Sequence, residues 1–131
     1  MTRAEAIAKL WDRIEPRVYI TRAQWERVLA DGWEVVPHFA GGDLSHITMV
    51  KGDEFHFESF TARPFTLAQV RACVEPIIAR YGQVRVVTPK DEPRQRRFNE
   101  AVGFVKESES EFFVHYKMTK FGRSRQCQPQ P

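Results

Sequence analysis

A strand, a long helix, a second strand and a short helix follow one another over residues 55–104, and this order constrains the chain more than any other feature. Phe55-His56-Phe57-Glu58-Ser59-Phe60 alternates as a half-buried strand does. Residues 66–81 place Leu67, Val70, Cys73, Val74, Ile77, Ile78 and Tyr81 at helical spacing, a broad apolar face suited to lying on a sheet. Thr66-Leu67-Ala68-Gln69 opens that helix as a capping box, and Gly82 closes it. Pro76 lies inside it, removes a backbone bond to Ala72 and predicts a bend. Residues 83–88 read as a strand with Val84, Val86 and Val87 buried. Asp91-Glu92-Pro93 then starts the last helix, with acids at its positive end and proline in its first turn. Two strands joined through a helix form a parallel crossover.

The flanking segments complete the pattern. Thr2-Arg3-Ala4-Glu5 is a capping box ahead of Ile7, Leu10, Trp11 and Ile14, which share one helical stripe that Pro16 ends. Thr21-Arg22-Ala23-Gln24 opens a second helix, with Trp25, Val28 and Leu29 on one face and Gly32 as its stop. Residues 33–40, 44–50 and 54–60 are strand-like runs separated by Gly41-Gly42-Asp43 and Lys51-Gly52-Asp53, which predict an antiparallel three-strand meander. After Gly103 comes an acidic tip carrying Glu107, Glu109 and Glu111. A final strand follows, with Phe112, Val114, Tyr116 and Met118 on one face. The expected class is α+β: an N-terminal helix pair, the meander, the βαβ crossover, a helix and a C-terminal hairpin, built on a mixed sheet.

The chain has 131 residues, 42% of them hydrophobic, which is enough for one core. We expect a single domain over 1–121 and a polar basic tail over 122–131, where apolar residues almost vanish. Two cysteines, Cys73 and Cys127, make no disulfide framework and predict a reducing compartment. The N-terminus has no apolar run of signal-peptide type, and no stretch approaches a membrane span, so the expected location is the cytoplasm where the protein is made. His38, His46, His56 and His115 each fall in a predicted strand without a close-spaced ligand partner, so no metal is expected. No P-loop and no nucleophile elbow is present.

This element order resembles the GNAT superfamily of N-acetyltransferases. The sharpest local match is Arg97-Phe98-Asn99-Glu100-Ala101-Val102-Gly103-Phe104 with Glu111-Phe112-Phe113-Val114-His115-Tyr116-Lys117-Met118, which look like that family's last helix, its Gly-Phe ending and its closing strands. The resemblance implies acetyl-CoA as cofactor, bound at the turn after the third meander strand, where a Gln/Arg-x-x-Gly-x-Gly/Ala loop presents backbone N–H groups to the pyrophosphate. Here that stretch is Ser59-Phe60-Thr61-Ala62-Arg63-Pro64-Phe65-Thr66. It has no glycine, Pro64 brings no N–H, and the Thr66/Gln69 box already satisfies donors. Ser59, Thr61, Arg63 and Thr66 are what remains to hold a cofactor. Asn99 stands where the family commonly has a tyrosine acid; an amide cannot protonate a thiolate, so the role left to Asn99 in an active enzyme is a hydrogen bond to the sulfur. Glu58 and His56, on one face of their strand, are the candidate bases.

These departures favour a catalytically silent domain with a structural or interaction role, without cofactor. Its architecture and size resemble small GNAT-like proteins of short-tailed bacteriophages, which implies a virion-associated or assembly component with protein partners. Arg94, Arg96 and Arg97, with Arg123 and Arg125 of the tail, form the expected interaction surface. Nucleic acid is a second class of partner for the same basic groups. The alternative is an active acetyl-CoA-dependent N-acetyltransferase with an atypical cofactor loop.

Overall fold

The computed structural model describes residues 1–122. The expected tail, with Arg123, Arg125 and Cys127, therefore lies outside the described residues apart from Gly122. The fold is α+β. Its elements are α1 (Arg3–Ile14), a 3₁₀ turn (Glu15–Arg17), α2 (Arg22–Ala30), β1 (Glu34–Ala40), β2 (Asp43–Lys51), β3 (Glu54–Ser59), α3 (Leu67–Tyr81), β4 (Val84–Pro89), α4 (Pro93–Val102), β5 (Val105–Glu109) and β6 (Phe113–Met118). The six strands run in the order β1-β2-β3-β4-β6-β5. β1 and β2 are antiparallel, β3 and β4 parallel, and β6 is antiparallel to both β4 and β5, so the sheet is mixed as expected. Two compact units divide the chain: Met1–Lys51 with His56–Phe65, and Gly52–Phe55 with the residues from Thr66 onward.

In the first unit both helices start on reciprocal caps. The Glu5 N–H donates to Thr2 Oγ1 at 3.1 Å while the Thr2 N–H donates to Glu5 Oε1 at 3.0 Å, and Thr21 and Gln24 repeat the arrangement. Arg3 donates to the carbonyls of Leu29, at the end of α2, and Trp33, a cation placed where carbonyls are left over. Ala6, Leu10 and Leu29 from the helices bury against Val35, Ile47 and Met49 from the strands, with Ile7, Trp25, Trp33, Leu44 and Phe60 packed around them. Val28, predicted to share this face, is exposed. β2 is buried on both sides from Ser45 to Met49. Strand side chains alternate, so His46 and Thr48 point away from the face that carries Ile47 and Met49. A register shift between His38 and Phe39 leaves Phe39 exposed near the end of β1.

The second unit holds the helix–strand half of the crossover. α3 buries a narrower stripe than its sequence predicts: Val70, Val74 and Ile77 are buried, Cys73 is half-buried, and Leu67 and Tyr81, at the two ends, are exposed. Gly82, at φ +80°, ends it with an N–H donated to Ile78 O at 2.7 Å. β4 alternates strictly. Val84, Val86 and Thr88 are buried and Val87 is only half-buried, because one face of the strand takes the packing and the other does not. β6 likewise buries Val114, Tyr116 and Met118, whereas Phe112 falls before the strand and is exposed, its carbonyl accepting from the Lys90 N–H at 2.9 Å. The parallel pair is registered at Glu54↔Arg85. There the Asp53 carboxylate accepts from Arg85 Nε at 2.9 Å and Gln83 Nε2 at 2.9 Å, and its carbonyl accepts the Arg85 N–H at 2.7 Å. The hydrogen bond from Arg85 holds the Asp53 carboxyl below its ordinary range.

Candidate functional site

The residues singled out in the sequence sit in three different settings. On β3, Glu58 is ion-paired with Arg17 Nη2 at 2.5 Å, a contact across 41 positions of sequence. The ring of His56, on the same face, lies 5.7 Å from that of Trp33 at a tilt of 52°. On α4, Asn99 is buried to 1% exposure. Its Nδ2 donates to Thr88 Oγ1 at 2.9 Å and its Oδ1 accepts from Gln95 at 3.0 Å. The carboxamide joins α4 to β4, which leaves it poorly placed to serve a reacting sulfur. In the arginine cluster, Arg94 and Arg97 are exposed, but Arg96 reaches the Lys90 carbonyl and the Tyr116 hydroxyl. The Tyr116 hydroxyl also donates to Glu100 Oε2 at 3.3 Å, a junction of β6 and α4 that no local motif announces.

The turn after β3 is built residue by residue. Phe60 donates its N–H to Ser45 O at 2.8 Å, and its ring carries the Arg13 guanidinium 5.7 Å from the centroid. Thr61 Oγ1 accepts the Arg63 N–H at 3.2 Å; Arg63 itself is exposed and Ser59 half-buried. At the start of α3 the Thr66 box forms as expected: Thr66 N–H to Gln69 Oε1 at 2.8 Å, Gln69 N–H to Thr66 Oγ1 at 3.2 Å. The amides of Leu67 and Ala68 belong to the first turn, whose donors a helix start cannot satisfy internally.

Phe65 is 3% exposed and occupies an aromatic seat. Its ring centroid lies 4.3 Å from His46, 5.1 Å from Phe57 and 5.6 Å from His38. His38 and His46 are register partners across the β1–β2 hairpin, one step before its bulge. Eight positions apart, they carry no ligand-pair signature, and counting pairs outward from Gly41-Gly42 sets His38 opposite Ser45; the register shift is what brings it opposite His46. Thr48 Oγ1 bonds His38 Nε2 at 2.9 Å, and Ser45 Oγ bonds His46 Nδ1. Among the described residues, His46 Nε2 is buried without a hydrogen-bond partner.

Burial lowers the pKa of both rings below the ordinary histidine value of 6.5, and the neighbouring His38 adds to the effect at His46. A lowered pKa in the folded state means that the unfolded chain binds more protons below 6.5. Stability from this pair is then complete above that pH and is lost as the pH falls toward the folded values. The melting temperature is expected to drop between about pH 7 and pH 5. His46→Gln should flatten that drop, and a profile unchanged by the substitution would refute the assignment to this ring.

No protein-family model matches the sequence, and no curated protein matches it. The fold does match solved structures. A spermidine N-acetyltransferase from Vibrio cholerae, described as dodecameric, aligns over 97% of this chain and 94% of its own at 10% identity, with a TM-score of 0.66. Mutant forms of the Vibrio cholerae spermidine/spermine N-acetyltransferase align over 89% of this chain and 90% of their own, again at 10% identity, with a TM-score of 0.68. A probable acetyltransferase aligns over 92% and 90% at 13% identity, with a TM-score of 0.65. The chain therefore has the fold of the GNAT-type acetyltransferases. The expectation of a silent structural domain of phage type is corrected by this result: the neighbours named are acetyltransferases over nearly their whole length, and none of them is described as a virion component. The acyltransferase alternative is the better supported. Among the described residues no helix is long and apolar enough to cross a membrane.

Proposed function

We propose that this protein is an acetyl-CoA-dependent N-acetyltransferase. The observation that carries the proposal is the near full-length correspondence in fold with N-acetyltransferases. The residues present fit an anionic cofactor, with fewer backbone donors than a glycine loop offers. Arg63 is exposed and able to meet a phosphate. Acetyl-CoA, when bound, supplies an activated acetyl group for transfer to an amine.

The chain's own part is positioning and proton transfer. His56 is the residue we assign to take the proton from the substrate ammonium. Glu58 lies on the same face, its carboxylate ion-paired with Arg17, and is the alternative base. Asn99 is left out of the chemistry because Thr88 and Gln95 hold both ends of its amide. A structural neighbour is named for spermidine, so spermidine is the first acceptor to try.

Titration calorimetry with acetyl-CoA is expected to show micromolar binding. Arg63→Ala should weaken it by about tenfold to a hundredfold, since a charge-assisted contact to phosphate is worth roughly 1.5–3 kcal/mol. Absence of binding at millimolar acetyl-CoA would overturn the proposal.

A further inference from the structure

A turn that approaches phosphate is usually made of glycine, because glycine lets the backbone come close. Residues 60–66 contain none. Something else must fix the path of the backbone if the Arg63 side chain is to face a ligand. The structure offers two anchors within the turn, one at each end. Phe60 is tied to Ser45 by its N–H and packs against the core that α1 and α2 share with the strands. Phe65 sits on the opposite face, among His46, Phe57 and His38. Between them Ala62, Arg63 and Pro64 are exposed.

We propose that Phe65 is the positioning residue of the cofactor turn, its ring seated on the His38–His46–Phe57 face so that Arg63 is held ready for the phosphates of acetyl-CoA. This rests on the function proposed above. Three features make the seat specific. The ring is almost fully buried two residues after Arg63, so its placement fixes the outgoing end of the exposed segment. Its partners come from all three strands of the meander: His38 from β1, His46 from β2 and Phe57 from β3. And a polar ring atom, His46 Nε2, is buried in that face with no hydrogen-bond partner among the described residues, an arrangement whose cost is tolerated where apolar packing holds it in place. A rigid aromatic anchor reduces the entropy lost when a loop is ordered by a ligand.

The test compares Phe65→Ala with Ile47→Ala. Ile47 is fully buried in the same unit, on the helix-facing side of β2, away from the seat. Both substitutions open a cavity and lower the melting temperature. Phe65→Ala is expected to weaken acetyl-CoA binding about tenfold, Ile47→Ala less than about twofold, and Phe65→Tyr or Phe65→Leu should recover most of the loss. Hydrogen exchange supplies a second readout that needs no ligand: Phe65→Ala should speed exchange at residues 61–65 selectively, and Ile47→Ala should not. Equal weakening by the two alanine variants would reduce Phe65 to an ordinary core residue and overturn the inference. So would wild-type exchange in residues 61–65 of Phe65→Ala. If the unsubstituted protein binds no acetyl-CoA, the proposed function and the cofactor role of Phe65 fail together. If it binds and Phe65→Ala binds equally well, only the present inference fails.

Discussion

Tyr116→Ala is expected to lower the unfolding free energy by about 3–5 kcal/mol, the range for removing a large buried aromatic ring. Tyr116 is 1% exposed on β6, the strand that lies between β4 and β5. Its hydroxyl meets Glu100 and Arg96 of α4, so the ring spans the contact between that helix and the sheet. Tyr116→Phe keeps the ring and loses only the hydroxyl contacts. Because Glu100 is exposed and Arg96 half-buried, that change should cost about 1 kcal/mol or less. Urea unfolding measures both. Similar midpoints for the two variants would show that the ring contributes little and that the hydroxyl matters instead.

Asn99→Ala comes second. It removes the donor that Thr88 Oγ1 accepts from and leaves the Gln95 amide without its acceptor, inside a helix–strand contact closed to water. Leaving one buried hydroxyl without its partner costs about 1–3 kcal/mol, and the cavity adds to that. Asn99→Tyr is the more instructive change, since the GNAT resemblance puts a tyrosine here. A phenol does not fit a pocket shaped for a short amide already bonded at both ends, so this variant is expected to be destabilised by about 1–3 kcal/mol with no gain in acetyl transfer. A more active Asn99→Tyr enzyme would mean that α4 shifts to present the side chain to the thioester, and would sink the structural role given to Asn99.

The helix starts are legible in the sequence because their chemistry is local. Thr2, Thr21 and Thr66 each sit three residues before a Glu or Gln, and all three boxes form. The strand pairing is legible from the hairpin turns and the crossover. What escapes is non-local. Val87 and Phe112 look as apolar as their neighbours, but which side of a strand is covered depends on the helix that packs there. The Arg17–Glu58 pair, the seat of Phe65 and the Tyr116 junction join residues far apart in sequence. The glycines missing from residues 60–66 are a local signal as well. A local motif records one way of holding a turn, and its absence says nothing of Phe60 and Phe65, whose rings pack at its two ends.

The exposed strand β5 has a consequence for how this protein behaves when it is abundant. Its five residues face solvent along the outer margin of the sheet, the place where a second chain would add a strand. A register shift between Lys106 and Ser108 breaks the regular ladder there. Glu109 lies between Lys106 and Lys90, which pull its carboxyl down to about 2, so the margin stays charged at any pH a cell provides. An approaching strand meets fixed charges and a kinked backbone in place of a flat, neutral template. Crowded copies of the chain therefore gain little by joining along β5, and this margin is a poor seed for insoluble fibres.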